Sequence, residues 1–114
     1  MSLPQSFMRF LPVLRRRPDA QADIAGGRDN PRLRGTTRFY QTPQGVLVLA
    51  EGSGLPDRGC RCEDNIFAFH IHSGGSCAGS SDDPFSSAQG HYNPERCPHP
   101  AHSGDMPPLF SKER

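Results

Sequence analysis

The sequence predicts an all-β protein, because of its composition and because of three short segments of strand-forming residues. It contains 12 glycines and 12 prolines among 114 residues, and both oppose helix interiors, which excludes a helical bundle. The segments Gly35–Gln41, Val46–Glu51 and Ile66–His72 are rich in β-branched and aromatic residues, which favour strands. The length fits one small domain.

The remaining elements follow from turn residues and from apolar alternation. Ala22–Gly27 is a weak first strand, and Asp29–Pro31 is a turn. Thr42–Gly45 predicts a hairpin turn between the first two good strands, and Gly52–Asn65 a loop before the third. Ser73–Arg114 has almost no apolar periodicity. Such a long loop is uncommon in a compact domain unless it is functional, so something other than an apolar core must order it.

The charge distribution separates the N-terminal part of the chain from the rest. Residues 1–40 hold eight Arg and three Asp, which gives +5, whereas residues 41–114 hold five Lys/Arg and nine Asp/Glu, which gives −4. The total of +1 excludes a strongly basic nucleic-acid binder. We interpret residues 1–18 as a basic, loosely ordered extension, 19–110 as the domain and 111–114 as an unrelated tail. A basic arm that seeks an anionic partner is the alternative.

The apolar N-terminal stretch does not have the order of a signal peptide. Arg9 and Pro12 interrupt it, Arg15–Arg17 follow it instead of preceding it, and no small-residue cleavage site comes after. No apolar run approaches the roughly 18–20 residues of a membrane helix. We therefore expect a cytoplasmic protein without a membrane partner.

All five histidines fall within residues 70–102. In the third good strand, His70 and His72 lie on one face, because side chains alternate, while Phe67, Phe69 and Ile71 lie on the other. Two imidazoles at this spacing can reach one metal ion. A pair of surface histidines on a half-exposed strand is the alternative.

The long loop contains three more histidines and one aspartate with spacings of eight, three and three: His91, His99, His102 and Asp105. Three imidazoles and one carboxylate make a plausible tetrahedral zinc set. A metal would supply the free energy that orders a loop without apolar periodicity. The alternative is a disordered polar loop that is rich in histidine.

The four cysteines are Cys60, Cys62, Cys77 and Cys97. The Cys-Arg-Cys spacing is too tight for the usual zinc pairing, and reduced thiols are the default in the cytoplasm. Four cysteines could also form two disulfides in three ways, among which the sequence does not choose. Thiols beside imidazoles favour zinc or cuprous copper, so Cys97 could be an additional ligand.

Four ordered segments resemble the copper–zinc superoxide dismutase family: RGTTRFYQTPQGVLVLAEGSGLP, FHIHSGGSCAG, GHYNP and HPAHSGDMPPLF. The resemblance implies that His70 and His72 bind copper and that His91 bridges copper and zinc as the catalytic residue. It implies His99, His102 and Asp105 as the other zinc ligands. Cys77 would be where the family's disulfide begins, with its usual partner absent. The implied fold is a Greek-key β-sandwich or flattened barrel, here incomplete, with about four strands and a long metal-binding loop.

The implied activity is an enzymatic one, the disproportionation of superoxide with copper and zinc as cofactors. A homodimer is possible, and neither nucleic acid nor membrane is an expected partner. The chain lacks the family's fourth copper histidine and its guiding arginine, so we expect impaired activity and a marginally stable, metal-dependent fold. The alternatives are a non-catalytic zinc- or copper-binding protein and an inactive truncated product.

Overall fold

The computed structural model describes residues 5–56 and 65–111, with side chains from residue 10 onward. It divides into two compact units, Met1–Leu55 and Pro56–Arg114. Most of the predicted loop that contains Cys60 and Cys62 lies outside the described residues, as do the last three residues of the tail.

The first unit contains a three-stranded antiparallel sheet with the order β1-β2-β3. Its strands are β1 (Ala20–Ala25), β2 (Arg34–Thr42) and β3 (Gly45–Ser53). The three strands were predicted, although β1 begins two residues earlier than expected. The central strand β2 is the richest in β-branched and aromatic residues, which pack well on a pleated surface.

The predicted hairpin turn joins β2 to β3 and sets their register. Pro43 and Gln44 form the turn, and Thr42 pairs with Gly45. The Thr42 hydroxyl accepts a hydrogen bond from the Gln44 N–H at 3.2 Å and donates one to the Gly45 carbonyl at 2.8 Å. Gly45 has a φ of 134°, which a residue with a side chain rarely adopts.

The buried part of the first unit is small and centres on β2. Tyr40 is 2% exposed and Thr37 is 4% exposed. The Arg16 guanidinium carbon lies 5.7 Å from the centroid of the Tyr40 ring, which is within the range of a cation–π contact. Arg16 therefore connects the N-terminal segment to the central strand.

A helix, α1 (Gln5–Leu14), occupies the segment that the sequence predicts to be loosely ordered. The apolar residues at positions 7, 10, 11 and 14 have the spacing of one helical face. Pro12 lies inside the helix, and that interruption is the reason why the sequence prediction contains no helix here.

The second unit contains a two-stranded antiparallel sheet of β4 (Ile66–His70) and β5 (Asp105–Phe110). The strand β4 was predicted, whereas β5 was not, since its DMPPLF sequence carries two prolines. The register shifts between Phe67 and Phe69, so that Pro107 and Pro108 lie opposite Ala68. A bulge is a position at which a sheet tolerates proline.

The structure confirms the all-β prediction in its coarse form. Within residues 5–56 and 65–111, five strands pair antiparallel in two sheets, and the helical structure there consists of α1 and short 3₁₀ segments such as Ser86–Ala88. No barrel closes within the described residues. None of the helices described is long and apolar enough to cross a membrane.

Candidate metal centre

Ile71, the residue after β4, forms backbone hydrogen bonds to two other segments of the chain. The Ile71 N–H donates to the Gly104 carbonyl at 2.9 Å, and the Ile71 carbonyl accepts from the Tyr92 N–H at 2.8 Å. The Gly104 N–H in turn donates to the Tyr92 carbonyl at 2.8 Å. These bonds hold both ends of the 91–105 loop against the end of β4, which stops at His70, two residues short of the predicted strand, so that His72 lies just beyond it.

Gly104 allows this close approach. The residue is buried, and a Cβ atom at this position would lie 2.4 Å from the Ile71 carbonyl oxygen. A side chain would therefore push Asp105 away from its partners on the loop. The register of β4 and β5 places His70 opposite Asp105. An isolated β-bridge pairs His72 with His91.

The four residues of the predicted zinc set come together around Asp105. One donor atom from each lies within 4.8 Å of the others. The Asp105 carboxylate lies 2.8 Å from His91 Nδ1, 3.2 Å from His102 Nδ1 and 3.6 Å from His99 Nδ1. His91 Nδ1 and His102 Nδ1 are 3.4 Å apart. The Asp105 side chain is 10% exposed and that of His99 is 64% exposed, so the group opens to solvent at His99.

The surroundings of Asp105 favour its carboxylate form. Burial by itself raises the pKa of Asp105, but the hydrogen bond from the His102 backbone N–H, at 3.1 Å, and the nearby His102 and His91 rings outweigh it. The net effect lowers the pKa below its ordinary value. A negatively charged oxygen is thus available at neutral pH, as a zinc ligand must be.

The three residues of the predicted copper set form a second group, in which one donor atom from each of His70, His72 and His91 lies within 4.8 Å of the others. The ring centroids of His70 and His91 are 3.8 Å apart, and those of His72 and His91 are 5.1 Å apart. Burial, followed by the neighbouring His91, lowers the pKa of His70. The neutral imidazole that binds metals is therefore favoured at this position.

A backbone carbonyl fixes the orientation of His72. His72 Nδ1 lies 2.8 Å from the Gln89 carbonyl oxygen. Because a carbonyl only accepts, Nδ1 carries the proton and Nε2 is left as the donor to a metal. Such outer hydrogen bonds commonly orient metal-binding histidines.

His91 belongs to both groups. Its Nδ1 atom faces Asp105 and His102, which leaves Nε2 for the group that contains His70 and His72. An imidazole has only two ring nitrogens, so His91 can serve both groups only by using one nitrogen for each.

The loop between His91 and His99 is held by a residue that the sequence analysis did not single out. The Asn93 side chain donates to the Cys97 carbonyl at 2.8 Å and accepts from the Cys97 N–H at 2.9 Å. The one available signal for this role is the general tendency of Asn side chains to bond to nearby backbone. The roles of Gln89 and Gly104 were likewise missed, because both act through the backbone.

The cysteines lie outside the two groups in the part of the chain that is described. Cys77 is exposed and Cys97 is half-buried, and both are free thiols. The possible role of Cys97 as an additional ligand finds no support in the metal-ligand groups found among these residues.

The chemistry of the donors fits the two metals implied by the sequence. Three imidazoles and one carboxylate are a common zinc donor set. A set of three imidazoles suits copper and zinc alike. In the described structure, donors close enough to share an ion occur in these two groups.

Comparisons with known proteins agree with this chemistry. The sequence model of the family described as copper/zinc superoxide dismutase (SODC) matches residues 33–114. Two curated relatives come from Aquifex aeolicus (strain VF5). Superoxide dismutase (Cu-Zn) 1 is 37% identical over 87 residues, or 70% of this chain and 46% of the relative. Superoxide dismutase (Cu-Zn) 2 is 33% identical over 86 residues, or 70% of this chain and 45% of the relative. No solved structure matches the chain significantly.

Proposed function

Because the chain belongs to the copper/zinc superoxide dismutase family, we propose that it disproportionates superoxide. Two superoxide anions and two protons give one dioxygen and one hydrogen peroxide. In this proposal, copper binds to His70, His72 and His91, and zinc binds to His91, His99, His102 and Asp105. The observation that carries the proposal is the membership of His91 in both groups, since one imidazole shared by two ligand groups would place two metal ions next to each other.

The protein's own residues would orient the metals and handle protons. Copper, when bound, supplies one-electron redox chemistry. Asp105 and His102 hold the Nδ1 side of the His91 ring, so that its Nε2 atom is kept at the other group, where it would bind either copper or, when copper does not occupy it, a proton that it could pass on. His72 keeps its Nδ1 proton on the Gln89 carbonyl and offers Nε2 to copper.

We propose that these 114 residues, taken by themselves, have a low activity for their family. The chain spans about half the length of the curated relatives it matches. The sequence has five histidines, and all of them belong to the two groups, which leaves three imidazoles on the copper side. A copper ion held by three imidazoles exchanges more readily than one held by a larger set.

The test loads the purified chain with zinc and copper and measures metal content and superoxide consumption on the same sample. We expect about one zinc and one copper per chain, with superoxide consumed. His70→Ala should lose copper and activity and keep zinc. Asp105→Asn should lose zinc. The matched control is Asp82→Asn, an exposed aspartate outside both groups, which should keep both metals.

The difference between the zinc group and the copper group favours a second function, non-catalytic metal binding. The zinc group is complete and contains a carboxylate, whereas the copper group has three imidazoles. If the fully loaded protein binds both metals without consuming superoxide, the dismutase proposal is wrong and a non-catalytic metal-binding role replaces it.

We also propose a cytoplasmic location and a homodimer. Free thiols at Cys77 and Cys97 suit a reducing compartment. The cross-strand pair Ile66 and Phe110 is 48% and 67% exposed, and a second copy would cover these apolar side chains. Sedimentation should give a dimer that Phe110→Ser weakens; a monomer at all concentrations would contradict this.

A further inference from the structure

Three consecutive arginines follow α1, and they differ in what they contact. Arg16 donates to Asp19 Oδ2 at 3.1 Å and to the Gln41 carbonyl at 2.6 Å, and it lies over the Tyr40 ring. The positive charge of Arg16 is therefore paired with groups of the first unit. Arg16 fixes the end of α1 beside β2.

Arg15 and Arg17 are exposed. Neither forms a hydrogen bond or an ion pair with another residue in the described ranges. Because Arg16 is anchored, its two neighbours are held at the end of α1, and neither has an ion-pair partner among residues 10–56 and 65–111. Two exposed cations at a fixed place can attract an anionic surface.

The last turns of α1 add apolar side chains next to these charges. Leu14 follows Phe10 by four residues and Leu11 by three, and both spacings place side chains on the same face of a helix. Phe10 is 36% exposed and the two leucines are half-buried. A large aromatic side chain and two arginines therefore occur together at one end of a ten-residue helix.

We propose that α1 and the arginines after it bind the surface of a bilayer that contains anionic phospholipids. An interfacial helix combines an apolar face with basic residues and lies in the plane of the headgroups. Each arginine near such a surface adds electrostatic attraction, and Phe10 supplies apolar area. This surface is independent of the metal centre and of the dismutase proposal.

The apolar component favours a bilayer over a nucleic acid. Affinity for nucleic acid comes mainly from many phosphate contacts, whereas this surface offers two exposed arginines beside the apolar Phe10. The sequence expectation of no membrane partner depended on the absence of a run long enough to span a bilayer. A helix that lies on the surface does not need that length.

The experiment measures binding of the full chain to vesicles by cosedimentation. One set contains phosphatidylcholine alone and the other contains phosphatidylcholine with phosphatidylglycerol. We expect binding to the anionic set, weakened by salt, because exposed charges are screened. Arg15→Gln with Arg17→Gln should weaken binding about thirtyfold, since each arginine contributes about fivefold.

The matched control is Arg28→Gln with Arg32→Gln, which removes the same charge from exposed positions between β1 and β2. It should bind like the unmodified chain, and circular dichroism should show the same fold for both double variants. The sequence has no Trp, so Phe10→Trp provides a unique reporter, whose emission should shift to the blue on anionic vesicles.

Three results would overturn the proposal. One is equal binding by the two double variants. Another is Phe10→Trp emission that anionic vesicles leave unchanged. The third is binding to a single-stranded oligonucleotide without binding to vesicles, which would assign the arginines to a different class of partner.

Discussion

At the scale of single residues, the candidate site depends on side chains that bond to backbone. The Asn93 side chain makes two hydrogen bonds to the backbone of Cys97, and they close the loop between His91 and His99. His99 is the most exposed member of the zinc group, at 64%. Its position therefore depends more on the loop than on burial.

We predict that Asn93→Ala weakens zinc binding by roughly tenfold to a hundredfold, the usual effect of removing a residue that supports a metal ligand. The zinc affinity of Asn93→Asp should lie between that of Asn93→Ala and that of the unmodified chain. An aspartate oxygen can still accept a hydrogen bond from the Cys97 N–H, but an aspartate cannot donate one to the Cys97 carbonyl. Competition with a chelator of known zinc affinity measures the change.

Asn30→Ala serves as the control for this series, since Asn30 is an exposed turn residue in the first unit. Its zinc affinity should equal that of the unmodified chain. Identical zinc affinities for Asn93→Ala and Asn30→Ala would show that the Cys97 hydrogen bonds do not position the ligands.

The grouping of the candidate ligands could be predicted from their spacing in the sequence. The residues that position these ligands could not. Two histidines at i and i+2 in an extended segment can reach the same metal ion. The short spacings of His99, His102 and Asp105 in one loop likewise allow these side chains to meet. Gln89 acts through its carbonyl and Gly104 through the absence of a Cβ. Neither role has a pattern in the sequence, because each depends on which backbone segment comes close.

At the scale of elements, local composition predicted the strands that have a strong intrinsic preference. The strands β2, β3 and β4 contain runs of β-branched and aromatic residues. In contrast, β5 contains Pro107 and Pro108 and forms because it pairs with β4 around a bulge. Pairing with a distant segment overrides local preference, and a sequence pattern does not show it.

The junction between α1 and the sheet leads to a prediction about pH. The Asp19 carboxylate accepts from the Gln41 N–H at 2.7 Å and pairs with Arg16 at 3.1 Å. The Gln41 hydrogen bond, followed by the Arg16 bond, lowers the pKa of Asp19 below its ordinary value of 3.8. The stability from Asp19 is therefore complete above pH 3.8 and is lost as the pH falls through the lower pKa of the folded state.

Asp19→Asn should thus lower the free energy of unfolding at neutral pH, and the difference from the unmodified chain should shrink below pH 3.8. The Asp19 side chain is 52% exposed, so solvent screening keeps the effect modest. Urea unfolding at several pH values measures it. Asp29→Asn, at a side chain that is 84% exposed, is the control, and a pH-independent Asp19→Asn effect would contradict the assignment.

At the scale of the whole molecule, few apolar side chains are buried among the described residues. Among the described residues, Tyr40 is the one buried hydrophobic side chain, and it belongs to the first unit. The second unit contains the two ligand groups instead. A small domain with little core needs another source of stability, such as a metal ion.

We therefore predict that metal removal destabilises the protein. Zinc at about a hundred times its dissociation constant would add about 2.7 kcal/mol to the free energy of unfolding. Thermal unfolding followed by circular dichroism, with and without a chelator, measures the loss. Adding zinc back should restore the melting temperature.

Asp105→Asn provides the comparison, because its melting temperature should respond little to the chelator. A single cooperative transition at the same temperature with and without metal would contradict the prediction. In that case the stability of the second unit would come from its backbone hydrogen bonds alone.

The bonds at Ile71 have a kinetic consequence. Ile71, which lies between His70 and His72, is hydrogen-bonded both to the start of the loop at Tyr92 and to its end at Gly104. A local opening that breaks these bonds separates the ligands of both groups at once. Such an opening would give both ions a shared escape route into solution, so a change that weakens the Ile71 bonds should shorten the residence times of both ions.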